Sequence, residues 1–155
     1  MRALLSALIF AAAVTPVVAQ QKAPPPSKEG VVMQVLQTAL SNIQKAQCGA
    51  TTQCAPATEA EKKNPPLSLT ETSWFISNGA VNGLAAYCGL DWKKRNFDPL
   101  TEHLRKTVKK SDRQIALIGL INSIVVAQVQ KEWTDKGPCD EKTRKGVDAK
   151  LDFKP

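Results

Sequence analysis

Apolar positions at helical spacing, punctuated by cap residues, Gly and Pro, run through most of this chain. Val32, Val35, Leu36, Ala39, Leu40 and Ile43 recur at three- and four-residue steps, with Gln34, Gln37, Ser41, Gln44 and Lys45 on the other side. That spacing predicts an amphipathic helix from about Gly30 to Gln47, stopped by Cys48-Gly49. Gly49 to Leu67 reads as loop, with Pro56 and Pro65-Pro66, and with a short helical turn where Thr58 precedes Glu61 at capping-box spacing. Ser68 and Glu71 repeat that box and open a second helix. Trp74, Val81, Leu84, Ala85 and Cys88 share one of its faces, widened by Phe75 and Ile76. Gly79 and Gly83 lie four apart. Either they admit a neighbouring helix closely, or they break the element, since each costs roughly 1 kcal/mol of helix propensity.

Asp98-Pro99 predicts a third helix with Asp as cap and Pro at the first position. Leu100, Leu104 and Val108 recur along it, and Lys106, Lys109 and Lys110 crowd its end, where the helix dipole is negative. Ser111 and Gln114 open a fourth helix. Ile115 to Val129 is apolar on nearly every side, the pattern of a helix central to a bundle. Ile124-Val125-Val126 pulls locally toward strand. Asn122-Ser123 interrupts the apolar run, leaving it short of the roughly 20 residues a bilayer span needs. Lys136-Gly137-Pro138 ends the element. Asp140 then caps a short last helix over Glu141 to Leu151, anchored by Val147, Leu151 and Phe153. The fold class expected is all-α: an antiparallel four-helix bundle with a short C-terminal helix, one domain over residues 30–155.

What precedes that domain has a different character. Met1-Arg2, the apolar stretch Ala3 to Val14 and the small residues of Val17-Val18-Ala19 form a secretory signal over residues 1–19. Residues 20–29, with Pro24-Pro25-Pro26, read as a proline-rich, disordered leader. Removing the first 19 of 155 residues leaves 136, enough for one real core. Without Arg2, 20 basic residues face 14 acidic ones. Export excludes nucleic acid as a routine partner. A positive chain there suits an acidic protein or an anionic envelope surface, and membrane-surface contact is compatible with it. The same excess also serves plain solubility.

Cys48, Cys54, Cys88 and Cys139 all follow the signal, so disulfides are expected. Four cysteines allow three pairings. Helix parity selects one: an up-running first helix carries Cys48 to the top, where Cys54 remains, while Cys88 and Cys139 both arrive at the bottom. The pairs Cys48–Cys54 and Cys88–Cys139 follow, because other bridges would cross the bundle, far beyond the roughly 7 Å between Cα atoms that a disulfide tolerates. Cys48 and Cys54 do not have the C-x-x-C spacing of thiol oxidoreductases.

No catalytic set is legible. His103 is the one histidine, zinc lacks ligands once the cysteines pair, and no phosphate loop or nucleophile elbow is present. The expectation is a protein without enzyme activity, metal or cofactor. Trp92-Lys93-Lys94-Arg95 sets an aromatic beside three cations, the composition of a binding hot spot; alternatively Trp92 packs beneath the loop next to Cys88 and the cations stay in water. Trp133 carries the same two readings.

Residues 77–139 combine a Gly-containing helix ending in Cys (SNGAVNGLAAYC), an amphipathic helix, a long apolar helix and Pro138-Cys139. This order resembles the small helical periplasmic immunity proteins that protect bacteria from type VI secretion amidase effectors, the resistance-associated protein family. The resemblance implies a Cys88–Cys139 disulfide, in agreement with parity, and an immunity-like role exercised by binding another protein. Gly89-Leu90, where the family often has Pro, the WKKRN segment and the Cys48–Cys54 pair depart from that pattern. The functional expectation is thus an exported, periplasmic or secreted protein that binds a protein partner in the cell envelope; the alternative is an envelope-associated or chaperone-like protein holding anionic lipid or glycan surfaces.

Overall fold

A computed structural model describes residues 27–155 of the protein. The signal segment, and the leader as far as Pro26, lie outside the described residues. Six α-helices follow in order: α1 (Lys28–Ser41), α2 (Glu59–Lys63), α3 (Leu69–Tyr87), α4 (Asp98–Lys106), α5 (Asp112–Thr134) and α6 (Glu141–Leu151). Among the described residues there is no β-strand, so the protein is all-α.

Helix starts follow local capping chemistry. Thr58, Ser68 and Ser111 each accept from the backbone N–H three residues on, and Glu61, Glu71 and Gln114 reach back to complete the capping boxes. Ser27 caps α1 by accepting from Gly30 N at 3.1 Å, so the folded chain already includes Lys28 and Glu29. Asp140 caps α6 by accepting from Thr143 N.

The first helix is shorter than its periodicity suggests. α1 ends at Ser41, and a single 3₁₀ turn, Ile43–Lys45, takes over. Asn42 causes the stop: its side-chain amide donates to Thr38 O at 2.8 Å, competing for a helix carbonyl. The turn swings Ile43 fully into the core. Cys48 N then donates to Thr52 O and Cys54 N to Ala46 O, each at 2.9 Å, around an isolated Gln47–Gln53 bridge. The Cys48–Cys54 disulfide closes this small loop, with Cα atoms 4.8 Å apart.

The α3–α5 pair is the centre of the molecule, and α1 packs against both. α3 does not break at its glycines; it runs unbroken for 19 residues and meets α5 there. A Cβ on Gly79 would lie 3.1 Å from Val125 Cβ, and one on Gly83 only 2.7 Å from Val129 Cβ. The buried stripe of α3 is therefore small and polar, with Thr72, Gly79, Asn82, Gly83 and Ala85, joined by Phe75. Trp74, expected on the core face, is 50% exposed. Close approach of two backbones demands small side chains along the seam, and that rotates the indole outward.

α5 keeps helical form through Ile124-Val125-Val126 for 23 residues, because burial and packing override local strand preference. By length and a mean hydropathy of 1.3 it is as apolar as some bilayer-crossing helices, a property that the core helix of a soluble protein can share. Here Ile115, Leu117, Ile118 and Ile121 are instead core residues. α4 also differs from expectation. A π-helical turn, Lys93–Phe97, leads into it directly, and Asp98 N donates to Lys93 O. Asp98 is already helical and caps nothing. The helix stops at Lys106, leaving Val108 exposed beyond it.

Arg113 forks onto both Glu61 oxygens and donates to Ala55 O, tying α2 to the start of α5. Lys110 pairs with Glu71 at the start of α3. The second disulfide, Cys88–Cys139, has Cα atoms 5.2 Å apart and joins the end of α3 to the chain just before α6. Both pairs are those that helix parity selects, and they place the protein in an oxidising compartment. α6 docks firmly on α3, burying Val147 and Leu151 against Ala85.

Candidate binding surface

The segment after α3 is shaped by two devices. Gly89 takes φ +67°, a left-handed conformation that suits glycine. Its N–H donates to Ala86 O and the Leu90 N–H to Ala85 O, a Schellman stop. Asp91 Oδ1 then accepts from Lys94 N at 3.2 Å, launching the π turn.

That turn points its residues in different directions. Trp92 is half-buried and packs on the Ala85–Val147–Leu151 cluster, with its ring 6.1 Å from that of Phe97. Arg95 turns toward α6, where Nη1 bonds Asp148 and Nε bonds Asp152 at 2.8 Å. These two carboxylates raise the pKa of its guanidinium further still. Asn96 is buried and donates to Leu151 O at 2.8 Å, and Phe153 N donates to Arg95 O at 3.0 Å. Arg95 is therefore committed to holding the C-terminal helix. Lys93 and Lys94 are exposed.

A groove of about 450 Å³ opens beside this turn. Trp92, Lys93 and Phe97 form one wall, α4 contributes Thr101 and Arg105, and α5 and the Gln47 loop close it. Gly119 lies on the α5 side, where an added Cβ would touch the Phe97 ring at 3.7 Å. Asn122, only 3% exposed, lines the groove while accepting from Asn82 Nδ2 at 2.9 Å. Lys93 and Arg105 give the rim positive charge, with Asp98 also present. Arg105 is held only loosely by Asp112, at 3.7 Å. A groove of mixed polarity, with aromatic rings on one wall and a cationic edge, can seat an apolar anchor beside a carboxylate.

Of the residues singled out from sequence, Trp92 and Lys93 line this groove. Lys94 is exposed on the same turn, and Arg95 is drawn away to α6. Trp133 lies elsewhere: its ring is 5.9 Å from that of Tyr87, Lys136 sits 4.7 Å from its centroid, and Tyr87 Oη donates to Gly137 O. Phe97, Thr101, Arg105, Gly119 and Asn122 escape a linear reading, because the groove assembles them from separate elements. Asn122, a polar break in an apolar helix, was the one local signal.

Among the described residues, no three His, Cys, Asp or Glu side chains cluster as metal ligands would. No family model, curated protein or solved structure matches the chain.

Proposed function

We propose that this chain is an exported, non-enzymatic helical protein, an antiparallel bundle held by its disulfides, that works in the periplasm by docking an acidic segment of a partner protein. The role is immunity-like, in line with the resemblance of residues 77–139, with an antibacterial effector as the partner to be bound. The observation that carries the reading is the groove where Trp92 and Phe97 lie beside Lys93 and Arg105. Its apolar wall supplies binding energy, and its cations speed encounter with an acidic partner.

The test compares the mature protein with a Lys93→Glu/Arg105→Glu variant as bait in periplasmic extract, including extract from cells challenged by a competitor. A Lys142→Glu/Lys145→Glu variant, altered on α6, is the control. The reading requires a protein that is retained by the wild type and the control, is lost with the groove variant, and is released by salt. Equal retention by all three, or none by any, refutes it. Retention of the wild type on anionic vesicles in place of a protein would favour the envelope-surface alternative.

A further inference from the structure

The first turn of α1 shortens the proline-rich leader. Ser27 is the helix cap and residues 28 and 29 are helical, so what stands ahead of the folded chain is Gln20 to Pro26. Its last four residues, Ala23-Pro24-Pro25-Pro26, carry no charge. Ala23, Pro24 and Pro25 each precede a proline, and sterics drive residues in that position to extended backbone. Ser27 has the same geometry, with φ −61° and ψ 159°, close to polyproline II.

A groove of about 500 Å³ opens where that run ends, since Lys28 and Glu29 both border it. Val32 on α1 faces Leu69 and Trp74 on α3 across it. Leu69 and Trp74 are 38% and 50% exposed, so the groove gathers two of the chain's exposed apolar side chains. Lys28 and Glu29 are adjacent and opposite in sign, which leaves little net charge to hold an ionic ligand. The hydroxyls of Thr70 and Ser73 and the indole N–H can donate hydrogen bonds from the α3 wall. A proline run is complementary to such donors, because it offers carbonyl acceptors and no N–H. The lengths also agree. From Leu69 to Ser77 the α3 wall rises about 12 Å, and four residues of polyproline II cover about 12 Å.

We propose that the groove between α1 and α3 is the docking site of this chain's own leader, with Ala23 to Pro26 laid against Trp74 as an intramolecular strap. Proline-rich segments dock on aromatic-lined grooves because their backbone is already ordered and loses little entropy on binding. The covalent tether decides which segment that is. It holds the run at an effective concentration of order millimolar, so a contact with a free-peptide Kd of about 1 mM keeps the strap in place about half of the time. The strap shares no lining residue with the Trp92 groove and stands independently of the function proposed there.

The test compares disulfide-bonded protein beginning at Gln20 with its Pro24→Gly/Pro25→Gly/Pro26→Gly variant, which keeps length and charge but frees the backbone. A soluble gadolinium chelate serves as the NMR relaxation probe, and Trp74→Ala assigns the Trp74 indole signal. The strap should shield that indole in the wild type at every protein concentration. The triple variant should lose most of the shielding and shift the amides of Thr70, Ser73 and Ser77. Protein beginning at Ser27, which retains the α1 cap, should lose all of the shielding. The free peptide Gln-Gln-Lys-Ala-Pro-Pro-Pro, added to it at millimolar concentration, should move the same amides back toward their wild-type positions. Equal broadening of the indole with and without the leader overturns the proposal, as does a triple variant indistinguishable from the wild type. Shielding that fades on dilution overturns it in favour of a second copy of the chain in the groove.

Discussion

Asn82 donates to Asn122 across the α3–α5 seam at 2.9 Å, and the two side chains are 0% and 3% exposed. Asn82 Nδ2 also donates to Asn78 Oδ1 at 3.2 Å, while its own Oδ1 lacks a partner. A polar link thus crosses the most tightly packed contact of the molecule, flanked by Gly79 and Gly83. Asn122→Ala removes the acceptor and leaves buried Asn82 less satisfied. It should cost about 1–3 kcal/mol in urea unfolding of the disulfide-bonded protein. The double variant Asn82→Ala/Asn122→Ala should cost less than the sum of the single variants, because the pair acts as a unit. Strict additivity would show that the bond contributes nothing.

Gly83→Ala places a methyl 2.7 Å from Val129 Cβ, whereas Gly79→Ala meets Val125 Cβ at 3.1 Å. The first should destabilise by about 1–3 kcal/mol through overpacking, exceeding the roughly 1 kcal/mol that alanine gains in helix propensity. Gly79→Ala should be milder. Val129→Ala combined with Gly83→Ala should recover little of the loss, because alanine keeps the Cβ that stands 2.7 Å away and Val126 O remains at 3.2 Å. Gly146 on α6 has nothing within 4 Å of an added Cβ, so Gly146→Ala should stabilise by about 1 kcal/mol. Thermal melts of the four variants check the order.

The two disulfides should differ in weight. Cys88–Cys139 spans 51 residues and Cys48–Cys54 spans 6. Loop-closure entropy assigns them about 4 and about 2 kcal/mol. Cys88→Ser/Cys139→Ser should lower the denaturation midpoint roughly twice as far as Cys48→Ser/Cys54→Ser, measured by denaturant titration.

Acid should weaken the protein at two identifiable points. The hydrogen bond from Arg113, helped by the Thr58 N–H, holds Glu61 near 2, and Lys110 with the Ser68 N–H does the same for Glu71, against an ordinary value of 4.5. Both carboxyls are depressed in the folded state. Their stabilisation is full above about pH 4.5 and is lost as pH falls toward 2. Melting temperature should decline over that window. Glu61→Gln/Glu71→Gln should start lower at neutral pH and decline less.

Much of the helical outline was legible because capping is local. Thr58–Glu61, Ser68–Glu71, Ser111–Gln114 and Asp140 each act within a few residues and need no tertiary information. The parity of long helices likewise sufficed for the cysteine pairs. Side-chain facing was harder. Trp74 lies at a plausible inward position by spacing, yet the seam with α5 selects glycine, alanine and asparagine, and the indole turns outward. Asp98-Pro99 has the form of a helix start, but the π turn delivers a backbone already helical. Arg95 reads as an exposed cation because Asp148 and Asp152, which hold it, stand more than fifty residues away. The Trp92 groove depends on the same long-range geometry, with Phe97, Gly119 and Arg105 meeting only once α4 and α5 are packed.

The span enclosed by Cys88 and Cys139 also bears on the order of events during synthesis. In a chain threaded from its front, the small Cys48–Cys54 ring can oxidise while α5 is still unmade. Cys88 must then wait as a lone thiol, and the glycine face of α3 waits with it. Arrival of residues 112–139 ends both vigils together: the same stretch that covers the naked seam brings the sulfur that seals it.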